Sequence, residues 1–211
     1  IFSFSLRAEI FPIDPNIKYG KLENGLTYYI RENQTPQDKV KIKLLINTGS
    51  IMEDDRQQGL AHLLEHMAFN GSENFPKKKI DEYLTSIGLN LGSDYNASAG
   101  HLTTNYRFTV PTKNPEHVET TIKIIADISH KLTLEPEAFE RERKIVEEEW
   151  RKQYGNNKRY FEKIKQYLYK NSIFLNRDPI GKIDVIQNFE YKDVIDYYQK
   201  WYQPELMSVF V

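Results

Sequence analysis

Between Gly59 and Asn70 the chain sets two histidines and a glutamate, His62, Glu65 and His66, into a run that is otherwise almost wholly apolar: Leu60, Ala61, Leu63, Leu64, Met67, Ala68 and Phe69. At roughly 100° per residue, a helix over this stretch brings both imidazoles and the carboxylate within an arc of about 100°. A buried helix cannot hold three such groups unsatisfied, because a polar group buried without a partner costs about 2–7 kcal/mol. The fold must therefore cover this helix while opening one face onto a ligand or a polar network. Two neutral imidazoles from consecutive turns can bite one zinc ion, and an adjacent carboxylate that is not a ligand can take a proton from the metal's water. A surface His–Glu pair or a hydrogen-bonded core histidine would need no metal; the apolar setting weighs against both.

Composition limits what can complete such a site. The chain has no cysteine, so disulfide frameworks, thiolate ligands and cysteine nucleophiles are excluded, and a metal must be held by histidine and carboxylate. Its 211 residues suit one ordinary domain or two very small ones, and a 39% hydrophobic content with 14 Tyr and 11 Phe can fill a core. Twenty-nine basic and 30 acidic side chains leave a net charge of -1, which gives no overall field toward nucleic acid. No run approaches the roughly 20 apolar residues of a transmembrane segment. Residues 1–18 read as an N-terminal extension, in which Ile1 to Ala8 fit either the tail of a secretory signal or, equally, a short strand or a disordered start.

From residue 19 to 211 the pattern is that of a single domain. Asn24-Gly25 signals a hairpin turn before strand-like Leu26–Ile30, and Val40–Ile46 reads as a second strand entering a core. A helix is predicted over Gln57–Asn70 with Gly71 at its C-terminal cap, and a shorter one opens at Pro76 and closes at Gly88. Leu89 to Val110 suits two strands, with Thr104, Tyr106 and Phe108 on one face. Asn114 caps a helix whose Val118, Ile122, Ile125 and Ile128 should face the core. Pro136 opens another, running to about Tyr154 and broken by Gly155-Asn156-Asn157; helical stretches follow near Lys158–Lys170 and Tyr191–Trp201. The chain closes on an apolar strand-like run, Leu206–Val211, which reads as truncation inside a longer protein.

A catalytic zinc takes three protein ligands and keeps one position open. The glutamate-rich helix from Pro136 is the natural source of the third. Relative to Phe139, Val146 and Trp150 fall within about 20° and define the buried side. Glu142 and Glu149 lie about 60° and 80° from that line, nearly superimposed, whereas Glu148 points away and Glu147 falls on the other flank. Glu149 is therefore the expected third ligand, with Glu142 as the acid that orients a ligand imidazole. Glu147 and Glu148 fit a solvated face paired with basic neighbours.

At these residues the sequence resembles the pitrilysin/insulinase-type inverted zincins (His-x-x-Glu-His), above all the bacterial zinc peptidases of that family, from about Tyr19 to the end. The resemblance is carried by Asn24-Gly25-Leu26, Gly59-Leu60-Ala61-His62 through Asn70-Gly71-Ser72, Asn74-Phe75-Pro76, Glu140 through Arg151, and Asp178-Pro179-Ile180-Gly181. It implies an α+β fold, an antiparallel sheet with helices packed on one face, forming one half of a clamshell. It also implies one Zn2+ ion on His62, His66 and Glu149, with Glu65 as catalytic base and Glu142 in support. A second, homologous half, expected in the same full-length chain, would close over a peptide substrate, and the present residues alone would bind zinc yet hydrolyse little. Asn96 and Ala97 sit where the family lines its cleft and could pair with an extended peptide. Leu102 stands where the family carries an acid, which leaves contacts over Ser98–Leu102 open, and His101 reads as a surface residue. Such relatives imply a periplasmic or secreted bacterial protein, with the cytoplasm as the other reading.

The expected function is zinc-dependent endopeptidase action on oligopeptides or unfolded segments. Two other readings stand beside it: a family relative that has become a scaffold or processing partner, and zinc hydrolysis of a non-peptide substrate, since ligands specify the metal chemistry and not the acyl group.

Overall fold

The Asn24-Gly25 turn does join two strands in the computed structural model, which describes residues 12–153 and 155–211. Strand β1 (Ile17–Lys21) and strand β2 (Thr27–Arg31) run antiparallel, with Gly25 at φ +94° in the turn. The sheet thus begins at Ile17, two residues ahead of the expected domain boundary; the reading of Ile1 to Ala8 lies outside the described residues. Four further strands follow: β3 (Lys39–Ile46), β4 (Tyr95–Ala99), β5 (Thr104–Pro111) and β6 (Met207–Phe210). Their spatial order is β1-β2-β6-β3-β5-β4.

Every neighbouring pair is antiparallel except β2 and β6, which run parallel. The apolar end of the sequence therefore occupies the middle of the sheet, where both of its edges are hydrogen-bonded. Alternation decides the faces. Ile42, Leu44 and Ile46 of β3 and Thr104, Tyr106, Phe108 and Val110 of β5 are buried, while Lys39, Lys41, Lys43 and Arg107 point to the exposed side.

Helices cover the buried face. They are α1 (Leu60–Met67), α2 (Lys79–Ser86), α3 (Pro115–His130), α4 (Pro136–Gln153), α5 (Asn156–Leu168), α6 (Ile183–Ile186) and α7 (Tyr191–Trp201). Helix α1 packs against β4, α4 and α7 at the centre of the molecule. Its residues Leu60, Leu63 and Leu64 are fully buried, which fixes the opposite, polar side toward α4.

Several boundaries depart from the sequence reading for local reasons. Helix α1 is shorter than Gln57–Asn70, because Gly59 at φ +103° cannot belong to a right-handed helix. At the other end Gly71 is not the C-terminal cap: the helix stops at Met67 with Ala68 as its cap, and Gly71 lies in the loop beyond Asn70, whose N–H closes a turn on the Met67 carbonyl. Pro76 precedes rather than opens α2, with Lys77 at φ +57° between them. On α3 the buried stripe is Thr121, Ile124, Ile125 and Ile128, and Ile122 is 49% exposed. Thr121 tolerates the inward position because its hydroxyl donates to the His117 carbonyl at 2.7 Å. Gly155 breaks α4 from α5, but Asn156 and Asn157 already belong to α5.

Candidate metal centre

The polar side of α1 meets the inner flank of α4. His62 Nε2 and His66 Nε2 stand 3.2 Å apart, their rings at 87° to one another. Glu149 Oε2, arriving from α4, lies 3.6 Å from the first nitrogen and 3.7 Å from the second. Ligands about 2.0–2.1 Å from a tetrahedral zinc ion are separated by roughly 3.4 Å, so this triangle has the dimensions of three corners of such a site. Two imidazoles and a carboxylate are also the donor set of a hydrolytic zinc centre. The residues fit the ion.

Glu65 borders the triangle rather than completing it. Its Oε2 is 3.9 Å from His62 Nε2, and among the described residues His62, Glu65 and His66 bring donor atoms within 4.8 Å of one another. Burial pushes its carboxyl up to about 7; His66 draws it down and Glu149 raises it. A carboxyl poised near neutrality suits proton transfer. Burial drives the His62 imidazolium down to about 4, with the charge of His66 acting in the same direction, so this ring is neutral and free to coordinate.

His66 differs. Burial alone would lower it, but the bond to Glu142 and the charges of Glu65, Glu149 and Glu142 outweigh that and hold it above its ordinary value. Glu142 Oε2 faces His66 Nδ1 at 3.5 Å, while Oε1 accepts from Asn70 Nδ2 at 3.0 Å. Burial would raise the Glu142 carboxyl, yet the bonds from His66 and Asn70 keep it low and charged. Asn70 also donates to the His66 carbonyl at 3.1 Å and accepts from the Arg141 guanidinium. His62 Nδ1 has no such partner among the described residues.

Asn70 and Arg141 were not singled out from the sequence. Asn70 follows His66 by four residues, the spacing that places it over the same helical face, and that was the available signal. Glu147 and Glu148 both pair with Arg151, but only Glu148 lies on the solvated face; the Glu147 side chain is 16% exposed and also accepts from Gln187 Nε2 at 3.3 Å. His101 stacks edge-on against Phe174 with ring centroids 5.3 Å apart, away from the site.

One cavity of about 530 Å³ gathers His62, Glu65, His66, Asn96, Ala97, Glu142 and Glu149 on its walls, with Phe69, Lys78, Asp81, Leu91, Arg141 and Ile145 among the other residues. Hollows of about 660 and 720 Å³ are larger, the second sharing Asn70, Lys78 and Arg141 with this one, but among the described residues neither is lined by a His and carboxylate group close enough to hold a metal, so chemistry rather than volume distinguishes this one. Its rim is β4, an edge of the sheet. The Thr109 N–H donates to the Asp94 carbonyl, so alternation turns the backbone groups of Asn96 and Ser98 toward β5 and those of Ala97 outward. Among the described residues the Ala97 N–H is met from its own side, by Asn96 Oδ1 at 3.0 Å.

Comparison with known proteins gives the family and the fold. The family described as Insulinase (Peptidase family M16) matches residues 28–175. The chain belongs to the M16 family. It is 40% identical over 200 residues to the probable zinc protease PqqL of Haemophilus influenzae, covering 95% of this chain and 22% of that protein. To the Escherichia coli protein of the same name it is 34% identical over 206 residues, covering 98% of this chain and 22% of the relative. The crystal structure of the periplasmic protease PqqL from Escherichia coli superposes with a TM-score of 0.91 at 34% identity, over 95% of this chain and 22% of that one. A protease from Helicobacter pylori matches with a TM-score of 0.81 at 26% identity, over 93% of this chain and 46% of that one. The M16 chain thus spans about a fifth of the length of the curated relatives it matches, 22% in both.

Proposed function

We propose that this chain is the zinc-binding unit of a zinc-dependent endopeptidase acting on oligopeptides or unfolded segments. The observation that carries the reading is the triangle of His62 Nε2, His66 Nε2 and Glu149 Oε2, with edges of 3.2, 3.6 and 3.7 Å, and the buried Glu65 beside it. His62, His66 and Glu149 hold a single ion, which when bound supplies Lewis acidity and a nucleophilic water near neutral pH. Glu65 takes a proton from the attacking water and returns it to the leaving amine. Glu142, itself held by Asn70, fixes the tautomer and orientation of the His66 ring. Ala97, whose backbone groups face the free edge of β4, receives an extended peptide as an added strand along the cavity wall, while Asn96, its backbone turned to β5, lines the wall beside it with its side chain.

The second wall of the cleft comes from a homologous half in the same full-length chain. In support, the relatives continue well beyond the matched region, and the matched part is 43% even of the structure described as the first half of PqqL. The compartment proposed is the periplasm, where the Escherichia coli relative PqqL is placed. A scaffold that had lost catalysis would have no use for a carboxyl held at Glu65.

Two measurements test the reading together. Metal analysis of the chain should give one zinc per molecule, lost on Glu149→Gln and kept on Glu65→Gln. A peptidase assay should find activity in the longer protein, little or none in these 211 residues alone, and none in the longer protein carrying Glu65→Gln. Retained hydrolysis in that variant removes Glu65 from the base role, and absence of zinc ends the metal-centre reading.

A further inference from the structure

Helix α1 begins without a cap of its own. The residue at its N-terminal cap is Gly59, at φ +103°, which has no side chain to accept the first free N–H groups. A serine or aspartate could not stand there. Besides the strain of that φ, a Cβ on Gly59 would lie 3.0 Å from the Ile180 carbonyl oxygen and 3.1 Å from the Gly181 Cα. The cap has to come from elsewhere in the chain.

It comes from Glu53. Its Oε1 accepts the Ala61 N–H at 2.8 Å and its Oε2 the Gly59 N–H at 3.0 Å, while the Gln57 carbonyl takes the N–H of Leu60 at 2.8 Å. Glu53 is only 4% exposed, and it is itself anchored. Arg177 Nε donates to the Glu53 carbonyl at 3.0 Å, Arg177 Nη2 to Asp55 Oδ1 at 2.9 Å, and Ser50 Oγ to the Arg177 carbonyl at 2.6 Å. A carboxyl group taken out of water is a costly way to cap a helix: burial pushes Glu53 up to about 8 against the pull of the Ala61 and Gly59 N–H groups and the Arg177 charge, whereas a side chain at a solvated end would cap with no desolvation. What the buried arrangement adds is position. Both oxygens grip N–H groups on either side of Leu60, and Ala61 is the residue immediately before His62.

We infer that Glu53 is a positioning residue for the metal centre: its two-point cap fixes where α1 stands along its axis and thereby sets His62, Glu65 and His66 against Glu149 on α4. This rests on the zinc reading of those residues. Glu53 touches neither the ion nor the substrate and acts only through the helix.

The test uses the full chain with Glu53→Gln, Glu53→Asp and Glu53→Ala, and Ile124→Ala on the distant α3 as a control for general loss of stability. Zn2+ affinity is read by competition with a chromogenic chelator, ligand geometry by the visible absorption bands of the Co2+-loaded chain, and folding by circular dichroism with the melting temperature. Glu53→Gln keeps the volume and one acceptor oxygen. It is expected to stay folded while zinc dissociation rises about tenfold, the scale seen when an outer partner of a ligand set is lost, with shifted Co2+ bands. Glu53→Asp should recover part of both, and Ile124→Ala should lower the melting temperature with neither change. If Glu53→Ala fails to fold, Glu53→Gln decides. A folded Glu53→Gln with wild-type affinity and bands overturns the inference while leaving the metal centre standing, as does a change no larger than the control's. A wild-type chain that takes up no zinc overturns the metal-centre reading, and this inference falls with it.

Discussion

Glu142 Oε2 lies 3.5 Å from His66 Nδ1, the ring nitrogen that faces away from His62. The contact leaves Nε2 facing the other imidazole, the arrangement in which a carboxylate behind a ligand histidine would make the ring a stronger metal ligand. Replacing Glu142 with Gln should weaken zinc binding about 10–100-fold and bring the His66 titration down from its raised position. Chelator competition measures the first and histidine NMR the second. Unchanged affinity with an unmoved titration would remove Glu142 from this role.

Acid should destabilise the metal-free chain through His62. Its folded value of about 4 lies below the ordinary 6.5, so between those limits the folded state binds fewer protons than the unfolded one, and stability is lost as the pH falls. Glu65 acts in the opposite sense: raised from 4.5 to about 7, it loses stability as the pH rises through that window. The two overlap and mask one another. Subtracting the urea stability of Glu65→Gln/His62→Gln from that of Glu65→Gln, at pH 7 and pH 4 in EDTA, cancels the titrating groups that do not interact with His62 and leaves His62 with its smaller coupling to His66. The difference should fall on acidification by on the order of 3 kcal/mol. A flat difference would mean that His62 is not desolvated as the geometry implies.

Gly181→Ala probes the seam behind the metal helix. Gly181 sits at φ +79°, and a Cβ there would overlap the Gln58 carbonyl oxygen and approach the Gly59 Cα to 2.6 Å. Neither the backbone conformation nor the space admits a methyl group, so the loss should exceed about 1 kcal/mol in urea unfolding, with weaker zinc binding because Gly59 leads into α1. A neutral substitution would show that the loop after Asp178 does not press on the helix.

The sequence made the site more legible than the frame around it. His62, Glu65 and His66 follow from three positions on one helix, and Glu149 and Glu142 follow from helical phase against Phe139 and Val146, because α4 is long and its buried side unambiguous. Residues held through loops were not accessible in that way. Glu53 stands six residues ahead of the group it caps across an aperiodic loop, and Arg177 reaches it from more than a hundred residues further along the chain. The insertion of β6 between β2 and β3 was hidden for a related reason: a run of apolar residues says strand but not which neighbours it will take. Ile122 misled because alternate four-residue steps along α3 look alike until the Thr121 hydroxyl is seen to satisfy itself within the helix.

The edge of the sheet offers the sharpest test of how a peptide would be held. Ala97 has its N–H directed away from β5, and Asn96 Oδ1 occupies that N–H at 3.0 Å in the absence of any added strand. An incoming peptide must displace the Asn96 side chain and put its own carbonyl in place. Proline at position 97 removes the donor without breaking any bond between β4 and β5, and edge strands accept proline where the N–H faces outward. In the longer protein, Ala97→Pro should therefore leave folding and zinc content unaltered while kcat/KM for a peptide falls by about tenfold or more, the loss of one backbone hydrogen bond together with its unsatisfied partner. Asn96→Ala should do the reverse and modestly lower KM, because the N–H then waits unoccupied. If Ala97→Pro hydrolyses peptides at the wild-type rate, the substrate does not add to β4, and the cavity must take it in another orientation.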